Sequence, residues 1–92
     1  MKIIFEEHQE NLFKIILSDN QTDEFLILIN KLKEKGHTKE EIYHLFLDFH
    51  TVIQIDERTK KAKKIFDFLS DFMDGFTAWG KENKILPDEP DL

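Results

Sequence analysis

The chain has 92 residues, a net charge of −6 at pH 7, nine phenylalanines and no cysteine. One hydrophobic core is expected, because two domains of this total length would each approach the limit of roughly 40 residues below which chains seldom fold unaided. The negative charge argues against nucleic acid and anionic membranes as partners, and the cysteine count excludes disulfides and thiolate chemistry.

A cytoplasmic location is predicted from the start of the chain and from its hydropathy. Ile3, Ile4 and Phe5 precede the acids Glu6 and Glu7, and so short an apolar run cannot form the core of a signal peptide. No stretch approaches the roughly 18 apolar residues that a membrane span requires.

Residues 2–17 have the spacing of an amphipathic helix, with polar side chains opposite one apolar arc. That arc contains Phe5, Leu12, Phe13, Ile15 and Ile16. Residues 1–5 also fit a short strand, and both alternatives stay open. Residues 18–22 are polar and compete for backbone hydrogen bonds, which predicts a turn.

Residues 23–35 are predicted to form the second helix, which has acids at its start, lysines at its end and Gly36 as its stop. Its inward arc contains Phe25, Leu28, Ile29 and Leu32. Leu26 and Ile27 lie away from this arc, so the helix is apolar nearly all round over that stretch. Either a second layer covers these two side chains or they form a contact surface.

The third helix has the most specific start signal in the chain. Thr38 and Glu41 have the spacing of a capping box, in which each side chain bonds the other residue's backbone N–H. The apolar face that follows contains Ile42, Leu45, Phe46, Phe49, Val52 and Ile53. The helix is predicted to end near Ile55, although residues 51–55 alternate in a way that is also typical of a strand.

Residues 56–80 are predicted to form the fourth and longest helix, with Asp56 as its N-cap and Gly80 as its end. One broad arc gathers its apolar residues, which are Ala62, Ile65, Phe66, Leu69, Phe72, Met73, Phe76 and Trp79. Residues 81–92 are rich in proline and acids and are predicted to be extended. The predicted fold class is all-α: residues 1–80 form one domain of four amphipathic helices in a small antiparallel bundle or related helical array, followed by an extended acidic C-terminal tail.

No constellation of residues specifies a reaction, and we expect neither enzymatic activity nor a cofactor. Ser18 and Ser70 lack the glycine context of an exposed nucleophile, and the three glycines form no phosphate-binding loop. Glu40, His44 and Asp48 recur every four residues on one side of the third helix, so two of them could share a divalent ion. Weak divalent-metal-dependent activity at His44 and Asp48 is therefore kept as an alternative.

The polar face of the predicted fourth helix has an unusual order of charges. Asp67, Asp71 and Asp74 lie toward its C-terminal end, where the helix macrodipole disfavours anions. A patch for a cationic partner would account for these acids. Pairing with the lysines of another helix would also account for them, and those lysines are Lys31, Lys33 and Lys35.

Two further stretches of the surface have alternative interpretations. Tyr43, Leu47 and Gln54 form a stripe beside the main apolar face of the third helix, which indicates either a protein contact or extra core packing. The basic run of residues 58–64 is predicted to be a solvated helix start, because no aromatic side chain is interleaved for stacking against a nucleic acid.

These features favour a non-enzymatic module that binds another protein, and the acidity favours a basic partner. In the most specific form of this hypothesis, the protein is an inhibitor that masks a basic active site, such as that of a nuclease toxin. In size, acidity and helical content the chain resembles bacteriocin immunity proteins, and no residue position is carried over from them. The predicted partner contacts are Asp67, Asp71, Asp74, Tyr43 and Leu47. The alternative is a structural or regulatory homodimer without enzymatic role, whose self-association residues are Leu26, Ile27 and Leu47.

Overall fold

The computed structural model describes residues 3–76 and residue 85 of the chain. Over these residues the protein is all-α and contains no strand. The helices are α1 (Phe5–Ile16), α2 (Gln21–Glu34), α3 (Lys39–Ile53) and α4 (Lys63–Met73), and a 3₁₀ turn, Asp74–Phe76, follows α4. Because α3 packs against each of the other three helices, it lies at the centre of a small helical array. The predicted fold class is confirmed for the described residues.

The turn between α2 and α3 forms as the sequence predicts. Gly36 has a φ of 96°, a left-handed conformation that glycine adopts without steric cost. The His37 N–H then donates to the Leu32 carbonyl at 3.1 Å and the Gly36 N–H to the Lys33 carbonyl at 3.0 Å. This is the Schellman pattern, which satisfies the last carbonyls of α2.

The capping box at the start of α3 is confirmed in both of its hydrogen bonds. The Glu41 N–H donates to the Thr38 hydroxyl at 3.1 Å, and the Thr38 N–H donates to a Glu41 carboxylate oxygen at 3.0 Å. The second bond lowers the pKa of the Glu41 carboxyl, because it favours the ionised form. The start of α3 is thus determined by residues only three positions apart.

The predicted start of the fourth helix is wrong. Residues 54–61 form turns, and α4 begins at Lys63. Asp56 accepts a hydrogen bond from the Arg58 N–H at 2.9 Å instead of capping a helix. The buried Thr59 hydroxyl donates to the Ile53 carbonyl at 2.8 Å. These local bonds offer the backbone an alternative to the helix, which is how Asp and Thr favour turns.

The strand alternative fails in both stretches where the described residues test it. Residues 51–53 are the last turn of α3, so the alternation there does not form a strand. Ile3 and Ile4 precede α1 and are not in a strand. Residues 1 and 2 lie outside the described part of the chain, as do the predicted helix end at Gly80 and the predicted tail of residues 81–92 apart from Ile85. Ile85 is buried, and its N–H donates to the Gly75 carbonyl at 2.8 Å.

The core is built from phenylalanine rings that meet around Phe25 of α2. This ring is fully buried, and its centroid lies 5.2 Å from that of Phe46 on α3 and 5.3 Å from that of Phe72 on α4. Phe49 and Phe68 lie within 6.5 Å of it. One side chain therefore joins three helices through edge-on, tilted and stacked ring contacts, and aromatic pairs prefer edge-on or offset-stacked arrangements.

We expect Phe25→Ala to lower the free energy of unfolding by about 3–5 kcal/mol, because it removes a buried ring and leaves a cavity. Phe66→Ala is the matched control, since Phe66 keeps 37 % of its surface exposed, and it should cost less than half as much. Urea unfolding followed by circular dichroism measures both variants. Equal losses would contradict the central role of Phe25.

Replacing Thr38 with alanine should lower stability by about 1 kcal/mol, because the Glu41 N–H loses its side-chain acceptor. Thr38→Ser keeps a hydroxyl at the same position and should stay within a few tenths of the wild type. Thermal unfolding of the two variants side by side tests the cap. An alanine variant as stable as the serine variant would show that the hydrogen bond contributes nothing.

Candidate functional site

One side of α3 meets one side of α4 along a line that we call the α3–α4 seam. Its members from α3 and the residue that directly follows α3 lie within about 60° of one another around the helix axis, and its members from α4 and the 3₁₀ turn contact them. The seam consists of Tyr43, Leu47, His50 and Gln54 together with Phe66, Ser70 and Phe76.

The polar centre of the seam is a hydrogen bond between the two helices. His50 Nε2 lies 2.9 Å from Ser70 Oγ, and the His50 ring packs on the Phe66 ring with centroids 4.6 Å apart. Burial lowers the pKa of the His50 imidazole below its ordinary value of 6.5, because the charged form loses hydration. His50 is therefore neutral at pH 7, and the pair shares one uncharged hydrogen bond.

The His50–Ser70 pair is not arranged as a nucleophile and its base. Among the described residues no carboxylate hydrogen-bonds to His50 to orient its ring. Ser70 lies inside α4, where neighbouring backbone N–H groups bond within the helix and cannot stabilise an oxyanion. The pair is a structural link between α3 and α4 that the sequence did not predict, because no local pattern relates residues twenty positions apart.

Two of the predicted contact residues, Tyr43 and Leu47, lie in the seam. Both side chains are half-buried and pack against the core. The Tyr43 ring lies 5.3 Å from the Phe76 ring, measured between centroids. The extra core packing that the sequence allows for this stripe is therefore present at Tyr43 and Leu47, whereas Gln54 is exposed. A role in partner binding stays a prediction for the exposed parts of the Tyr43 and Leu47 side chains.

The three predicted acids lie on the solvent side of α4 and its following turn, and all are exposed. Asp67 and Asp74 fall within about 60° of Ser70 on the helix, so they border the seam. Asp71 lies farther round. Asp67 and Asp71 form no salt bridge with another described residue, and pairing of these two with the lysines of α2 is not observed. The acids and the tyrosine–leucine stripe, predicted separately, thus lie on adjoining surfaces.

The predicted self-association residues Leu26, Ile27 and Leu47 lie on two helices, α2 and α3, and their role in self-association stays a prediction. Leu26 and Ile27 project from α2 away from the core, and 37 % and 49 % of their surfaces are exposed. No second layer covers them within the described part of the chain. Leu47 instead belongs to the seam on α3.

The residues considered for a metal ion contain one close pair. His44 Nε2 lies 3.9 Å from Glu40 Oε1, with both side chains well exposed. Asp48 is exposed on the same side of α3. Over residues 3–76 and 85, no group of three or more His, Asp or Glu side chains is placed to hold a metal ion.

The basic run before α4 has an intramolecular role that the sequence did not predict. The Arg58 guanidinium lies over the Phe13 ring of α1, 3.7 Å from its centroid. It also pairs with Asp56 at 3.0 Å and with Glu10 at 3.3 Å. Lys60 pairs with Glu57 at 2.7 Å. Arg58 therefore links the α3–α4 connection to α1, and Arg58 and Lys60 also form ion pairs within that connection.

Comparison with protein-family models, curated proteins and solved structures finds no match to this chain. None of the described helices has the length and apolar character to cross a membrane.

Stability should fall as the pH is lowered from 7 to 5. The pKa of His50 is lowered by burial in the folded state, as is that of His8, so the unfolded chain binds protons first as the pH falls through 6.5. The contribution of the two neutral histidines to stability is complete above pH 6.5, and it is lost as the pH falls toward their lower pKa values in the folded state. Urea unfolding at several pH values should show this decrease in the free energy of unfolding. The variant His8→Gln should retain the part of the pH dependence that is due to His50.

An NMR titration of the His50 ring tests the cause directly. Its midpoint should lie below 6.5 in the folded protein. The double variant His8→Gln/His50→Gln should have a flatter stability profile than His8→Gln alone. A His50 midpoint at or above 6.5 would contradict the explanation by burial.

Proposed function

We propose that this protein is a non-enzymatic binding module that engages a basic protein through the acidic border of the α3–α4 seam. The observation that carries the proposal is the order of charges on α4. The other three described helices have acids in their first turn, and α1 and α2 also have lysines in their last turn. α4 begins with Lys63 and Lys64 and carries Asp71 in its last turn.

This order costs stability in the isolated protein. A charge at the wrong end of a helix is worth typically ~0.3–1 kcal/mol, and Asp71 in the last turn gains no salt bridge among the described residues that would offset it. A cationic partner supplies the missing compensation. Sites that function in binding commonly carry such a local conflict with folding preference.

The surface beside the acids has the composition of a protein contact. Phe66 exposes 37 % of its area, and Tyr43 and Leu47, which belong to the same seam, are half-buried. Aromatic side chains are enriched in the centres of protein interfaces and charged side chains at their rims. A basic partner would pack on the seam and place its cations against Asp67 and Asp71.

The net charge of −6 adds a long-range attraction that speeds association with a basic partner. An inhibitor that masks the cationic active site of a nuclease toxin would use both features. The likeness to bacteriocin immunity proteins in size, acidity and helical content supports this form of the proposal.

The proposal is tested by capturing partners from a lysate of the source organism on the tagged protein and eluting them with rising salt. We expect one stoichiometric basic protein that leaves at moderate to high salt. In a titration with that purified protein, Asp67→Lys/Asp71→Lys should weaken binding at least tenfold, or by about 1.4 kcal/mol. Circular dichroism should show that the variant remains folded.

The matched control is Asp19→Lys/Asp48→Lys, which reverses two exposed acids away from the seam. Each reversal adds two units to the net charge of −6, so both double variants carry −2. An equal loss of affinity in both variants would mean that net charge alone drives binding. The absence of any captured partner would count against the binding module.

A further inference from the structure

The outward side of α2 carries a short stripe with a symmetric arrangement of charge. Asp23, Ile27 and Lys31 follow one another at intervals of four residues, so they lie on successive turns of one side of the helix. All three are exposed, and Ile27 keeps 49 % of its surface accessible. An apolar residue thus lies midway between a carboxylate and an ammonium group.

The two charges of this stripe have no partner within the described residues. They are also too far apart to pair with each other, because eight residues of α-helix span about 12 Å. The stripe therefore offers one anion and one cation at equal distances on either side of Ile27.

We propose that α2 docks against α2 of a second copy of this chain, antiparallel, about a two-fold axis that passes beside Ile27. That axis places Asp23 of each copy against Lys31 of the other and the two Ile27 side chains in contact. Leu26, which is 37 % exposed, borders the same face. The antiparallel arrangement also opposes the two helix macrodipoles.

The charge order identifies the occupant as a second copy. A two-fold interface brings the same surface of both subunits together, so it must be complementary to itself. A row of three residues with the order anion, apolar, cation satisfies this condition when the helices run in opposite directions. A row with two like charges would repel its own copy.

The expected complex is weak. One face of a helix with two exposed apolar residues buries less than the roughly 1,200 Å² at which stable interfaces begin. We therefore expect dissociation constants in the micromolar to millimolar range. The α2 stripe is separate from the α3–α4 seam, so this inference does not depend on the proposed function.

Sedimentation equilibrium of the full chain at low salt, over protein concentrations from about 1 μM to 1 mM, tests the proposal. We expect a reversible monomer–dimer equilibrium that weakens in high salt. Ile27→Asp should weaken dimerisation at least tenfold, whereas Ile55→Asp should leave it unchanged. Ile55 is the matched control, because it is 73 % exposed and lies outside α2.

A charge swap tests the two-fold register. Asp23→Lys and Lys31→Asp should each weaken the dimer at least tenfold, since each places like charges in contact. The double variant Asp23→Lys/Lys31→Asp should restore dimerisation to within about threefold of the wild type. Rescue cannot come from a more stable helix, because the swapped charges oppose the macrodipole of α2.

Three results would overturn the inference. The first is a monomer at every concentration. The second is a dimer that Ile27→Asp does not affect, and the third is a double variant that stays as weak as the single variants. Circular dichroism of each variant separates loss of folding from loss of association.

Discussion

The burial of the Phe25 ring is the interaction on which the rest of the structure depends. Its ring contacts Phe46 on α3 and Phe72 on α4, so it fixes α4 against two helices that are already joined by a short turn. With α4 held there, His50 and Ser70 come within hydrogen-bond distance. The exposed acids of α4 then border the tyrosine–leucine stripe of α3. The candidate site is thus a consequence of packing around one aromatic side chain.

The features that could be predicted from the sequence are those that neighbouring residues decide. The Thr38–Glu41 capping box and the Gly36 stop are local hydrogen-bond patterns, and the apolar arcs of the first three helices follow from periodicity. The same periodicity places Leu26 and Ile27 off the core face. Such signals need no knowledge of the tertiary structure.

The features that could not be predicted depend on contacts between distant residues. The apolar period of α4 gives no sign that Arg58 packs on Phe13 of α1 or that Thr59 bonds the Ile53 carbonyl. Because these contacts hold residues 58 and 59 in turns, the helix begins only at Lys63. Phe66 fits the apolar arc, yet 37 % of its surface is exposed, because it lies at the edge of the seam and His50 covers only part of it. Tertiary packing decides which side of α3 is covered by α4.

The contrast between the two connections has a consequence for the order of folding. The turn between α2 and α3 is specified by residues within a few positions of one another, so this helical hairpin closes with little loss of loop entropy. The connection before α4 is held to α1 by the hydrogen bond between Arg58 and Glu10, which are 48 positions apart in the sequence. We therefore expect the α2–α3 hairpin to form the folding nucleus and the Arg58 contact to form late. Mutations in that hairpin would slow refolding, whereas loss of the arginine contact would mainly speed unfolding.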